Sequence, residues 1–195
     1  MDLLLASTSP IRRAMLENAG VAFAALSPAV DEARIKGDQG AANDRELATA
    51  LASAKAEAVS KRHSAALVIG SDSLVSVGER RFSKPVDRSE AADHLRFFSG
   101  KTMVLTSAVA LAHSSECVWS HVDSARLQVR PLSEAFIMHY LDLDWPEVGY
   151  CVGVFRMEGL GVQLFERVDG DHFAILGMPL VPLLGALRQR GLLLQ

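Results

Sequence analysis

Strand-like and helix-like segments alternate from the first residues onward, and that alternation restricts the chain to an α/β architecture. A short apolar run at 3–6 leads through Ser7, Thr8 and Ser9 into a helix that Ser9 is placed to cap, Pro10 to begin and Gly20 to end. Asn43 or Asp44 caps a long helix reaching about Lys61, and the apolar run 65–69 reads as a buried strand followed by a turn-rich loop. Residues 74–77 and 81–82 flank Gly78-Glu79 as a hairpin, and Ser89 starts an amphipathic helix that Gly100 stops. In the second half, 103–112, 116–121 and 125–129 read as successive strands, 133–141 as a helix, 149–161 as glycine-rich loop and strand, 162–167 as a strand and 181–190 as a closing helix. The expected whole is a mixed, twisted sheet with flanking helices.

Bulk properties bound the class. At 195 residues and 49% hydrophobic content, the chain suits one sizeable domain, or two lobes sharing a core. A net charge of −3 argues against nucleic acid as a partner, because non-specific binding to it needs a basic surface. No apolar run is long enough to cross a bilayer and no secretory leader is legible, so no membrane partner and a cytoplasmic location are expected. Cys117 and Cys151 fit no metal or redox spacing and are expected to be small buried residues; the six histidines show no zinc spacing. Neither a G-x-x-x-x-G-K-[ST] loop nor a G-x-G-x-x-G fingerprint occurs.

Several local groupings carry chemistry. Hydroxyls at 7–9, the unpaired amides of a helix start, and Arg12 and Arg13 in its first turn suit a polyphosphate; otherwise they are a solvated helix end. The paired arginines there cost local stability unless an anion sits among them. Asp31 and Glu32 form either an acidic turn or a seat for Mg²⁺, a hard cation that takes one or two protein carboxylates. Lys55 falls on the stripe of Leu47, Leu51, Ala54 and Ala58, where a lysine either snorkels to solvent or meets an anion. Asp72, just past the strand expected at 65–69, is either a turn residue or a carboxylate placed to bind metal and activate water. Lys84 precedes Pro85 and is held extended. Arg156 and Glu158 sit among glycines at 155–161, either as a surface ion pair or as a loop where the carboxylate accepts hydrogen bonds from a guanine-like base.

The run 4–16 (Leu-Leu-Ala-Ser-Thr-Ser-Pro-Ile-Arg-Arg-Ala-Met-Leu) resembles the N-terminal signature of the Maf family of nucleoside triphosphate pyrophosphatases. The resemblance continues through Val30-Asp31-Glu32, Ala54-Lys55-Ala56, Gly70-Ser71-Asp72-Ser73, Ser83-Lys84-Pro85, Phe98-Ser99-Gly100-Lys101-Thr102 and Gly177-Met178-Pro179-Leu180. It implies one Maf-like domain over 1–195 with two lobes and a central cleft, and hydrolysis of the α–β bond of a nucleoside triphosphate to monophosphate and pyrophosphate. It implies Asp72 as general base, Glu32 and Asp72 as ligands of Mg²⁺ or Mn²⁺, and Lys55 and Lys84 as neutralisers of phosphate charge. Ser9, Arg12, Arg13, Ile11, Ser73, Arg156 and Glu158 become substrate contacts, and a homodimer is implied. Residues 155–161 and Leu164-Phe165-Glu166-Arg167 are similar to the branch acting on 7-methyl-GTP, although that branch carries an aromatic residue in place of Ile11, a glutamine in place of Ser73 and a lysine in place of Arg156. A dTTP/UTP pyrophosphatase of the same family, and a nucleotide-binding regulator of cell division with little turnover, stand as alternatives.

Overall fold

The computed structural model describes residues 1–38 and 42–194. In chain order it contains β1 (Leu3–Ala6), α1 (Pro10–Asn18), β2 (Ala24–Leu26), α2 (Glu32–Asp38), α3 (Asp44–Ser60), β3 (Leu67–Val77), β4 (Arg80–Phe82), α4 (Arg88–Phe98), β5 (Thr102–His113), β6 (Glu116–Val129), α5 (Glu134–Asp144), β7 (Phe165–Asp169), α6 (His172–Ile175) and α7 (Leu180–Gln189), with short 3-10 turns at Glu147–Tyr150 and Leu160–Leu164. The seven strands form one mixed sheet in the order β2-β1-β3-β5-β6-β7, with β4 paired to β3. β1 lies parallel to both β2 and β3, whereas β3–β4 and β6–β7 are antiparallel. The expected α/β class with helices flanking a mixed sheet is what forms.

The chain divides into two compact units. The first comprises Met1–Ser73, Thr106–Asp123 and Asp171–Gln195; the second comprises Leu74–Leu105 and Ser124–Gly170. In the first unit, Leu5, Leu16, Ile69, Leu111, Leu183 and Leu187 pack into one buried cluster, while Ala56, Val59, Val68 and Ala112 form another. In the second, Phe82 meets Phe98 edge-on with ring centroids 4.7 Å apart, and Ile137 and Leu141 are buried.

Local chemistry explains most element ends. Asn43 and Glu46 form a capping box at the start of α3, each side chain taking the other residue's backbone N–H. Gly78-Glu79 turns β3 into β4 in the register Val77↔Arg80, with Gly78 at φ +62, as its two-residue spacing leads one to expect. The α4 cap is Asp87 rather than Ser89, since the Asp87 carboxylate accepts from the Glu90 amide. β6 runs unbroken where two strands were expected, and the 3-10 turn at Leu160–Leu164 shortens the expected 162–167 strand to β7. Cys117 is exposed and Cys151 half-buried, so the expectation of two buried thiols holds for neither in full. No helix among the described residues is long and apolar enough to cross a membrane.

Candidate functional site

β3 positions the chemistry of the first unit, and it does so through its two faces. Asp72 lies within this strand, not in a loop beyond it. Ser71, Asp72 and Ser73 look like a strand breaker in sequence, yet pairing with β1 extends to Gly70 and pairing with β4 resumes at Val75. Period-two alternation puts Gly70 and Asp72 on one face, Ser71 and Ser73 on the other.

The Gly70 face meets α3. A Cβ on Gly70 would stand 2.1 Å from the Ala52 carbonyl oxygen and 2.6 Å from the Ala56 nitrogen, so only glycine lets the helix backbone come this close. That approach brings Lys55 to Asp72. The Lys55 Nζ lies 2.5 Å from Asp72 Oδ1 and 2.8 Å from Glu32 Oε1, with the lysine and aspartate buried and the Glu32 side chain 42% exposed. Lys55 therefore does not snorkel: the stripe of α3 that carries it turns inward, and its ammonium joins two carboxylates from α2 and β3. Glu32 itself opens α2, an element the acidic pair at 31–32 did not announce; Asp31 accepts from the Arg34 amide instead of joining the cluster.

The opposite face of β3 holds Arg12. Its Nε donates to the Gly177 carbonyl (2.9 Å), its Nη1 to the Ser71 carbonyl (3.0 Å) and its Nη2 to Ser73 Oγ (3.0 Å). Ser73 Oγ also pairs with Ser107 Oγ at 2.8 Å and donates to Gly177 O, while Ser71 Oγ shares its proton between the Ala108 and Gly177 carbonyls. The Ser73 hydroxyl is thus committed to placing Arg12. Burial pulls the Arg12 guanidinium below its ordinary pKa, and the charges of Asp72 and Glu32 oppose that pull; the group stays cationic. Of five guanidinium N–H donors three are engaged, leaving two for a ligand. The expected instability of paired arginines at the helix start does not arise for Arg12, because protein acceptors meet it.

Around the start of α1, Ser9 occupies the cap position with extended backbone, but its side chain makes no capping bond; its amide donates to Ser7 Oγ at 3.2 Å. Ser9 is half-buried, Arg13 exposed and Ile11 half-buried. The first unit therefore holds two groups, Glu32, Lys55 and Asp72 on one face of β3 and Arg12 with Ser73 on the other, and the carboxylate charges of the first act on the guanidinium of the second.

Lys84, Arg156 and Glu158 belong to the second unit. Lys84 and Glu158 are exposed. Arg156 pairs with Asp144, not with Glu158: its Nη2 meets Oδ1 and its Nε lies 3.3 Å from Oδ2. That hydrogen bond is the largest effect raising the Arg156 pKa, with smaller contributions from the charges of Asp144, Glu158 and Glu147. The Cys151 thiol is pushed up to about 11, chiefly by burial, and it feels Glu158, Lys84, Arg156 and Asp144 in turn. Asp144, Ser107 and the carbonyl of Gly177 were not singled out from sequence. Only Asp144 carried a usable signal, as an acid at the C-terminal end of an amphipathic helix, where the helix dipole disfavours it.

Among the described residues no group of three or more His, Cys, Asp or Glu is placed to hold a metal. Glu32 and Asp72 nonetheless converge on one cation, the Lys55 ammonium, and hard carboxylate oxygens are the donors Mg²⁺ and Mn²⁺ take. The donor set fits such an ion.

Known proteins resemble this chain over nearly its whole length. A 7-methyl-GTP pyrophosphatase of Rhizobium meliloti (strain 1021) is 48% identical over 191 residues, covering 97% of this chain and 96% of the relative. A nucleoside triphosphate pyrophosphatase of Bradyrhizobium diazoefficiens is 44% identical, covering 98% and 95%. A solved nucleoside-triphosphatase (dITP/XTP pyrophosphatase) from Mycobacterium abscessus aligns over 66% of this chain and 74% of its own at 16% identity and a TM-score of 0.40, too distant to bear on the reading. The family model described as Maf-like protein matches residues 2–190, and the chain belongs to that family.

Proposed function

We propose that this protein hydrolyses the α–β phosphoanhydride bond of a nucleoside triphosphate, releasing the monophosphate and pyrophosphate, and that it prefers a guanine-type base, 7-methylguanine above all. The observation that carries the reading is the convergence of Asp72 and Glu32 on Lys55, with Arg12 fixed on the other face of the same strand. A phosphate chain needs fixed positive charge, and a water attacking it needs a base. This network supplies both.

The α1 N-terminus, Ser9, Arg13 and the two remaining N–H groups of Arg12 bind phosphate oxygens, and Lys84 adds charge. Asp72 takes the proton of a water whose oxygen bonds to one phosphorus of the α–β bridge as the bridging bond breaks and its electron pair leaves with the departing phosphate. Lys55 orients the Asp72 carboxylate and offsets the charge that develops on the phosphoryl oxygens. Glu32 and Asp72 would hold Mg²⁺ or Mn²⁺; such an ion neutralises triphosphate charge and makes bound water more acidic. Glu158 accepts from N1–H and the exocyclic amine of guanine. The preference for the methylated base is supported by the activity for which the 48% identical relative is named and by the residues 155–161.

Product analysis tests the proposal: purified protein is incubated with Mg²⁺ or Mn²⁺ and with 7-methyl-GTP, GTP, ITP, UTP, dTTP and CTP in turn. Pyrophosphate and monophosphate, greatest from 7-methyl-GTP, are expected, and Asp72→Asn should lose roughly 100-fold or more in turnover while staying folded. A preference for UTP or dTTP overturns the role of Glu158. Nucleotide binding without pyrophosphate release makes the protein a binding regulator instead.

A further inference from the structure

Asp144 ends α5, and two physical effects work against a carboxylate in that place. The C-terminal end of a helix carries partial negative charge, and the Asp144 side chain is only 3% exposed, where an isolated anion is costly. Arg156 meets it in a side-on bidentate pair. The arginine side chain itself remains 35% exposed, so this is not a sealed core ion pair. The guanidinium is anchored along one edge, through Nε and Nη2, and its Nη1 end is left to other partners.

The backbone that presents Arg156 is held just as firmly. Val154, a β-branched residue with φ +55, sits in a region such residues rarely enter, and its carbonyl accepts the buried Tyr140 hydroxyl at 3.0 Å. Phe155 packs edge-on against Phe165 at 4.9 Å. A Cβ on Gly161 would stand 2.6 Å from both the nitrogen and the oxygen of Arg156, so the chain folds back directly over that residue. Strain at Val154 and close approach at Gly161 thus flank one half-buried cation.

We propose that Asp144 is a positioning residue for base recognition: it fixes Arg156 so that the free edge of the guanidinium, together with the Glu158 carboxylate, forms a preset donor and acceptor for the nucleobase. The inference rests on the proposed pyrophosphatase reading. Guanine offers the matching pattern, with O6 accepting from Arg156 while N1–H and the exocyclic amine donate to Glu158. Because Asp144 balances Arg156, the remaining charge of the trio is negative, which favours a base that presents N–H donors or, once methylated at N7, a positive charge. Arg156 then reads the base.

The test compares wild type, Asp144→Asn, Asp144→Glu, Arg156→Gln and the Asp144→Asn/Arg156→Gln double variant in pyrophosphate release from 7-methyl-GTP and GTP. Alkylation of Cys151 is followed in parallel in a Cys117→Ser background, with and without nucleotide. Asp144→Asn should raise KM about tenfold with kcat within about threefold, the double variant should be no worse than the worse single one, and Asp144→Glu should recover part of the loss. At a nucleotide concentration near the wild-type KM, nucleotide should slow alkylation of Cys151 in wild type and several-fold less with Asp144→Asn. An unchanged KM in Asp144→Asn, even with a lower Tm, overturns the inference, as do additive effects in the double variant. Should Asp144→Asn not fold, a wild-type KM in Arg156→Gln overturns it equally. Wild-type protein that releases no pyrophosphate overturns the pyrophosphatase reading and the inference with it; wild-type turnover with indifferent variants overturns the inference alone.

Discussion

Removing the Lys55 ammonium leaves the Asp72 and Glu32 carboxylates facing each other with their shared cation gone. Breaking a buried ion pair from one side costs several kcal/mol, so Lys55→Met should destabilise the protein by about 3 kcal/mol, read as a lower urea midpoint. Double replacement of Lys55 and Asp72 by apolar residues should recover much of that, which separates lost charge pairing from lost packing. His94 makes a different prediction. Its ring is buried against Phe82 and Phe98, its Nδ1 has no hydrogen-bond partner, and burial pulls its pKa below the ordinary value, with Glu90 opposing and Arg80 assisting. A histidine with a lowered folded pKa contributes stability that is full above the unfolded value of about 6.5 and is lost as pH falls towards the folded value. The stability advantage of wild type over His94→Gln should therefore shrink below about pH 6.5 in denaturation curves, and an advantage constant with pH would count against this account.

β3 shows at the level of the element what one strand can organise. Its Gly70–Asp72 face meets α3 and its Ser71–Ser73 face holds Arg12, so the closeness of a single helix sets the geometry of the Lys55 pair. Gly70→Ala should push α3 away, with an overpacking cost of about 1–3 kcal/mol and loss of turnover, measured by thermal unfolding and pyrophosphate release. The reach of the strand was not legible beforehand. Ser71, Asp72 and Ser73 carry loop-forming side chains, and the partners that satisfy the serines, Ala108 and Gly177, lie far along the chain. The Gly78-Glu79 hairpin and the Asn43 cap were legible, because their determinants are local. Asp87 displaced Ser89 as the α4 cap for an equally local reason: a carboxylate three residues before Glu90 reaches that amide. Arg12 and Lys55 stood out as charges in the sequence, but what each touches depends on tertiary approach that spacing alone does not encode.

For the whole molecule, alternation of strand and helix sufficed to specify the α/β class, since each apolar run had to be buried against an element of the other kind. The division into two compact units, with β3, β5 and β6 passing through both, has no counterpart in composition; no glycine- or proline-rich linker marks it. A nucleotide that binds only the folded chain should stabilise all of it by mass action, about 2.7 kcal/mol at a hundred times its Kd, and a rise in Tm with 7-methyl-GTP larger than with UTP would rank the bases without any turnover. Chelation should differ from what it does to a metal-templated protein: EDTA should leave Tm unchanged and, on the proposed metal-assisted reading, abolish turnover. The reason lies in the ammonium shared by Asp72 and Glu32. A chain that carries its own counter-ion needs no metal or nucleotide to balance these carboxylates while it folds, so its folded fraction should not track the supply of the ion its proposed chemistry would draw on.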